Sequence, residues 1–356
     1  MNISTKISDE SLDAEKPRKG YEWWYFDAIS TDKKWSLVII FYQGNPFSTN
    51  YIEGKYSKKS EEYPALSISV YKNKNPEFYS FLEFPKSQFL FAEDEHDIHI
   101  SIGGCAFRRK TLADTIEYEL TLNQHLESGH TIVGKLKFIS DRLSGSLIEE
   151  GSAGDKHYWN LLQPRSKVAG SFKIAGKTDT YHVGFHGNGY HDHNIGHEMM
   201  SESFKDWYWG RFHFPDFTII YYIMNGYHTK QHQAWLISRD NKKMLGAFDT
   251  IELNSRKKNL LGLKSFREIK LSGELGTLKI KNDAIIDDGP FYQRFLSNAT
   301  FTNASGSIVQ TGISEYIHPS RIEEEKYWWM VRMRLRYLRE KAHWVQKSKM
   351  FYEWTW

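Results

Sequence analysis

Residues 186–198 read HGNGYHDHNIGHE, a stretch in which four histidines, a tyrosine, an aspartate and a glutamate could move protons or ligate a metal. In an extended strand, successive side chains point to opposite faces. Tyr190, Asp192 and Asn194 would then share one side, and His191 and His193 the other. One run can therefore supply a reacting carboxyl group and the shell that holds it. His157 and Trp159 have the same i, i+2 spacing, as do Trp207, Trp209 and Arg211, which alternate with Tyr208 and Phe212. An acid beside indole rings suits a reaction that passes through a cation: the carboxyl group supplies the proton and an aromatic face stabilises the positive charge. His191 and His193 are also spaced as two zinc ligands on one strand face, with His186 or His197 to complete three. A zinc-dependent hydrolase or hydratase is thus an alternative reading.

The elements that must position these residues are strands. Residues 35–42, 65–71, 77–84, 97–102, 116–123 and 131–139 are short, rich in β-branched and aromatic residues and bounded by turn formers, and a second set begins at residue 170. Aromatic residues make up 15% of the 356, a content that suits sheet faces and apolar cavities. The expected fold is all-β, with two lipocalin-like antiparallel β-barrel domains over residues 1–160 and 161–320. A basic amphipathic helix and tail should follow over 321–356. There, Trp328, Val331, Leu335, Leu338, Ala342 and Val345 recur at spacings of three and four, with Arg332, Arg336, Arg339 and Lys347 on the opposite side.

Other classes are excluded by composition. Cys105 is the only cysteine, so no intrachain disulfide forms. The net charge of +3 is concentrated at residues 326–350, where eight Lys and Arg face Glu340 alone. The rest offers no general nucleic-acid surface. The first twenty residues hold no apolar run of signal-peptide length, and no segment is long enough to span a membrane as a helix. The expected location is cytoplasmic, with the C-terminal helix able to touch the inner membrane face peripherally.

Taken together, the motifs resemble those of the carotenoid 1,2-hydratases, or hydroxyneurosporene synthases. The resemblance rests on Glu22-Trp23-Trp24-Tyr25-Phe26-Asp27, His157-x-Trp159, Gly189-Tyr190-His191-Asp192-His193-Asn194-x-Gly196 and Trp207-x-Trp209-Gly210-Arg211, in the family's order. Ile195 stands where these proteins commonly carry Trp. The resemblance implies that water is added to a terminal isoprenoid double bond of an acyclic carotenoid, without a redox cofactor. It puts catalysis on Asp192, Tyr190, His157 and Trp159, and makes Trp24, Asn194, Trp207, Trp209 and Arg211 candidates for binding the polyene. Asp192 is the expected proton donor. The same fold could instead bind a hydrophobic ligand, or hold a polyene for cofactor-free cyclisation or isomerisation.

Overall fold

Strands that are apolar on alternate residues bury one face by pairing and curling around it. The computed structural model describes every residue except 55–56, 58, 96, 144–146, 152–153 and 228–229. It divides into two compact units, Met1–Met199 with Glu325–Trp356, and Met200–Glu324. Both are built from curled, mainly antiparallel sheets, as the all-β reading expects.

In the first unit the hairpin His157–Ala175 and Thr180–Gly196 lies mid-sheet. Thr180–Gly196 pairs on its other side with Tyr21–Ser30, and His157–Ala175 with Thr131–Asp141. Beyond Tyr21–Ser30 the sheet runs through Trp35–Gly44, Ala65–Lys72 and Asn75–Glu83. Beyond Thr131–Asp141 it runs through Thr115–His125, Cys105–Thr111, Asp97–Ile102 and Phe89–Glu93. The curl is visible in the core, where Phe26 meets Phe107 from five strands away with ring centroids 5.1 Å apart. Trp24, Phe26 and Ala28 face this core with Ile39, Phe41, Tyr118 and Phe138. Yet all ten residues of Tyr21–Ser30 are buried. Its second face, carrying Tyr21, Trp23, Tyr25 and Asp27, is therefore also shielded from water.

The second unit is one nine-stranded sheet in the order Met244–Ala247, Lys230–Ser238, Phe217–Asn225, Asp206–His213, Gly306–Ile317, Tyr292–Asn303, Gly276–Asp288, Lys264–Gly273 and Thr250–Lys258. Its core takes Tyr208 and Phe212 from Asp206–His213, together with Ile219, Tyr221, Leu271, Ile280 and Phe301.

Two expectations are corrected. A boundary after residue 160 would cut the strand His157–Ala175, whose ladder with Thr180–Gly196 holds the whole hairpin in the first unit; the division falls at Met199 and Met200. The continuous C-terminal helix is also broken. Trp328–Arg334 is helical, but Leu335–Tyr337 is extended and pairs in parallel with Asn75–Glu83, and short helices follow at Trp344–Lys347 and Lys349–Trp354. Pairing at the open sheet edge, with Tyr337 Oη 2.9 Å from Thr49 Oγ1, prevails over the helical period. Gln346 then donates to the free carbonyls of Arg332 and Met333 at the helix end. No helix among the described residues is long and apolar enough to cross a membrane.

Candidate active site

The ladder register builds the site. Thr180–Gly196 places Asp192 opposite Tyr25 on one side and Leu161 on the other, and Asn194 opposite Trp23 and Trp159. Strict alternation puts Tyr190, Asp192 and Asn194 on the face shared with Trp23 and Tyr25, away from the apolar core. Register shifts between Leu161 and Ser166 mark a bulged stretch of the neighbouring strand, just beyond His157 and Trp159.

Three donors converge on one buried carboxyl group. Tyr190 Oη–H donates to Asp192 Oδ2 over 2.6 Å and Trp159 Nε1–H to the same oxygen over 2.8 Å. Asn194 Nδ2 donates to Oδ1 over 2.9 Å. All four residues are buried, Asp192 being 5% exposed. Two of the donors share Oδ2, and the third is on Oδ1. Burial, reinforced by the charge of Asp192, pushes the Tyr190 phenol well above its ordinary value, so it stays protonated and remains a donor.

His157 closes one end of the site. Its Nδ1 lies 2.8 Å from Tyr21 Oη, and Trp23 stacks on Tyr21 with centroids 5.1 Å apart. Gly196 makes this possible, because a Cβ there would stand 2.1 Å from Tyr21 Cζ. Burial pulls His157 down to about 3, so the ring is neutral near pH 7 and a weak base.

On the reverse face the two alternate histidines are held by glutamates. His193 Nε2–H donates to Glu22 Oε1 over 2.8 Å, while its Nδ1 accepts from Asn160 Nδ2. Lys16 Nζ lies 2.6 Å from Glu22 Oε2. His191 Nδ1–H donates to the Tyr25 carbonyl, and its Nε2 is 2.9 Å from Glu10 Oε1. Burial alone would raise the Glu10 carboxyl, but His191, Arg109 at 2.8 Å and Tyr118 outweigh it and hold it below its usual range. Phe26 lies flat on His191 at 3.9 Å and Trp24 on His193 at 4.7 Å. All four ring nitrogens of the pair that could have ligated zinc are thus engaged by protein groups. No cluster suited to a metal occurs among the described residues.

The structure therefore brings Asp192, Tyr190, Trp159, Asn194 and His157 together. Trp24 is on the other face, in the core, because it shares the parity of Phe26; Trp23 is the indole on the Asp192 side. Trp207, Trp209 and Arg211 lie in the second unit, on the face of Asp206–His213 opposite its core residues Tyr208 and Phe212. There Trp209 is paired in register with Glu315, whose carboxylate accepts from Arg294 Nε over 2.8 Å. Sequence reasoning missed Glu10, Tyr21 and Trp23. The face of Trp23 is set by the pairing of Asp192 with Tyr25, and Glu10 lies 181 residues from His191 with no local pattern to mark it.

The chain is similar to several known proteins. The family described as carotenoid hydratase CrtC matches residues 39–344. A hydroxyneurosporene dehydrogenase from Chlorobaculum tepidum is 27% identical over 344 residues, covering 91% of this chain and 89% of that protein. An acyclic carotenoid 1,2-hydratase from Rubrivivax gelatinosus is 24% identical over 204 residues, covering 56% of this chain and 47% of the relative, about half its length. Among solved structures, CghA with Sch210972 superposes with a TM-score of 0.62 at 10% identity, covering 85% of this chain and 89% of that one, a likeness of fold.

Proposed function

The chain belongs to the carotenoid hydratase family, and from that membership we propose that it adds water across a terminal isoprenoid double bond of an acyclic carotenoid, with Asp192 as the proton donor. The observation that carries this reading is the three-donor cradle on a buried carboxyl group. To donate, Asp192 must enter the reaction protonated. As the proton leaves Asp192 for the terminal alkene carbon, negative charge grows on its carboxyl group, where Tyr190, Trp159 and Asn194 are already aimed. The acid is thereby strengthened at the moment it donates.

The proton transfer leaves a tertiary carbocation on the neighbouring carbon. Trp159, fixed by its bond to Asp192, offers a ring face to that charge, worth about 2 kcal/mol when desolvated, or roughly thirtyfold in rate. Water then adds to the cation, and the oxonium so formed is acidic enough to pass its proton even to a base as weak as neutral His157. Reprotonation of Asp192 completes the balance of one water per double bond. Asn194 remains a proposed contact for the polyene, with Trp23 in place of Trp24 on the same face.

A bilayer-dissolved substrate also implies peripheral contact with a membrane face through the C-terminal segment. The direct test is purified protein incubated with an acyclic carotenoid extract and followed by mass spectrometry. A gain of one water is expected. Loss of two hydrogens would instead mark the dehydrogenation that the Chlorobaculum relative's name describes, and no mass change would mark a binding or isomerising role.

A further inference from the structure

Near its C-terminal end the chain exposes large apolar residues that no packing role explains. Trp344 is 61% exposed, Met350 66%, Phe351 41% and Trp354 75%. Soluble surfaces scatter such residues singly, but here they adjoin: Trp344 and Phe351 come from two different short helices and meet edge-on with centroids 5.1 Å apart.

The ledge is held rigidly from beneath. Val345 and Tyr352 are buried, at 1% and 2% exposure. Glu353, the acidic residue of the second helix, is turned to His130, whose Nε2 lies 2.9 Å from its carboxylate. Near the aromatic residues in sequence come Lys341, Lys347 and Lys349, all exposed, with Lys349 4.0 Å from Glu353. In contrast, Arg336 and Arg339, on the basic face that the sequence suggested, are engaged by Glu127 and by the carbonyl of Glu62.

We propose that Trp344, Met350, Phe351 and Trp354 enter the interface of an anionic phospholipid bilayer while Lys341, Lys347 and Lys349 meet its headgroups. Indole rings favour the headgroup boundary, having an apolar body and a polar N–H. Lysine stems lie along the apolar residues and lift their ammonium groups to the phosphates. The charge selects an anionic surface and the rings supply depth, the two-part signal that stable peripheral binding needs. This inference rests on the membrane contact proposed above and names the residues that make it.

The test is sedimentation of the full chain with vesicles of equal parts phosphatidylglycerol and phosphatidylcholine, compared with phosphatidylcholine alone. The combined variant Trp344→Ser, Phe351→Ser, Trp354→Ser should lower the vesicle partition coefficient at least roughly tenfold. Lys341→Glu with Lys347→Glu should do so mainly at low salt. Leu260→Ser, at a lone and fully exposed leucine, should change nothing. The charge variants keep the test alive if the aromatic variant fails to fold. Hydration assayed with substrate in detergent micelles should be unchanged in all of them. If wild type does not hydrate in micelles, the enzymatic reading falls and the lipid result stands by itself. Unchanged vesicle binding by both sets would overturn the inference. So would a shift from dimer to monomer in light scattering with vesicle binding intact, which would assign the ledge to a second copy of the chain.

Discussion

Trp159 Nε1 and Tyr190 Oη both donate to the same oxygen of Asp192, at 2.8 and 2.6 Å, so two side chains from adjacent strands share one acceptor. If they stabilise the developing carboxylate, each deletion should weaken the acid without removing the substrate. Tyr190→Phe is expected to lower kcat by about tenfold to a hundredfold with little change in KM, as loss of one charge-assisted hydrogen bond should. Steady-state kinetics on a defined acyclic carotenoid would check this. A rise in KM at constant kcat would mean that Tyr190 binds substrate instead.

Acid should weaken the fold through His157. Burial pulls this ring from 6.5 to about 3, so across that window the unfolded chain takes up a proton that the folded chain refuses. Stability therefore falls as pH falls through it, by on the order of a few kcal/mol. Urea midpoints measured at about pH 7 and about pH 4.5 should differ less in His157→Gln than in wild type. Burial also lowers His130 and His191, so the slope should shrink rather than vanish.

Glu83 has the opposite sign. It sits opposite Tyr337 where the C-terminal strand docks, with Asn50 donating to its carboxyl group and Arg339 and Glu340 nearby. Burial raises it from 4.5 to about 7. The unfolded chain loses this proton first, so the group's stabilising contribution is full below 4.5 and is lost as pH rises through 7. Glu83→Gln should therefore be more stable than wild type above about pH 8, by about 1 to 3 kcal/mol, and nearly equal to it near pH 4. Thermal melts at the two pH values decide the matter.

Removing the Glu10 charge should be costly. Arg109 is 6% exposed at its side chain and faces Glu10 across 2.8 Å, so Glu10→Gln leaves a cation buried without its counter-charge. A loss of about 3 to 5 kcal/mol is expected in denaturant titration. Adding Arg109→Met should recover much of it, because an apolar residue of similar length asks for no partner. Failure of that double variant to recover would show that Tyr118 and His191 also depend on Glu10.

How far the sequence carried these conclusions depended on distance along the chain. Tyr190, Asp192 and Asn194 were legible as one face because a period of two is a local property. The faces of Trp23 and Trp24 were not, since the choice depends on Asp192 pairing with Tyr25 across 167 residues. The zinc reading of His191 and His193 was open in sequence. Only the docking of Glu10 and Glu22 behind the strand shows how those rings are used. The C-terminal period was real, but a short strand at a sheet edge overrode it, a tertiary effect that local pattern cannot register.

The sharpest prediction concerns Asp192 itself. Asp192→Asn keeps the size of the side chain and can still accept from Tyr190 and Trp159, but it has no acidic proton to give. Turnover should fall at least about a thousandfold while the melting curve stays close to wild type. Asp206→Asn is the control: Asp206 accepts from Asn225 over 2.6 Å in the second unit and belongs to no donor cradle, so its loss should cost little in the chemical step. In deuterated water, wild-type product should carry one deuterium on the carbon beside the new hydroxyl, because protonation precedes capture of water. Near-normal turnover by Asp192→Asn would remove Asp192 as the donor, whereas a hydrated product lacking that deuterium would rule out protonation by any solvent-exchangeable acid.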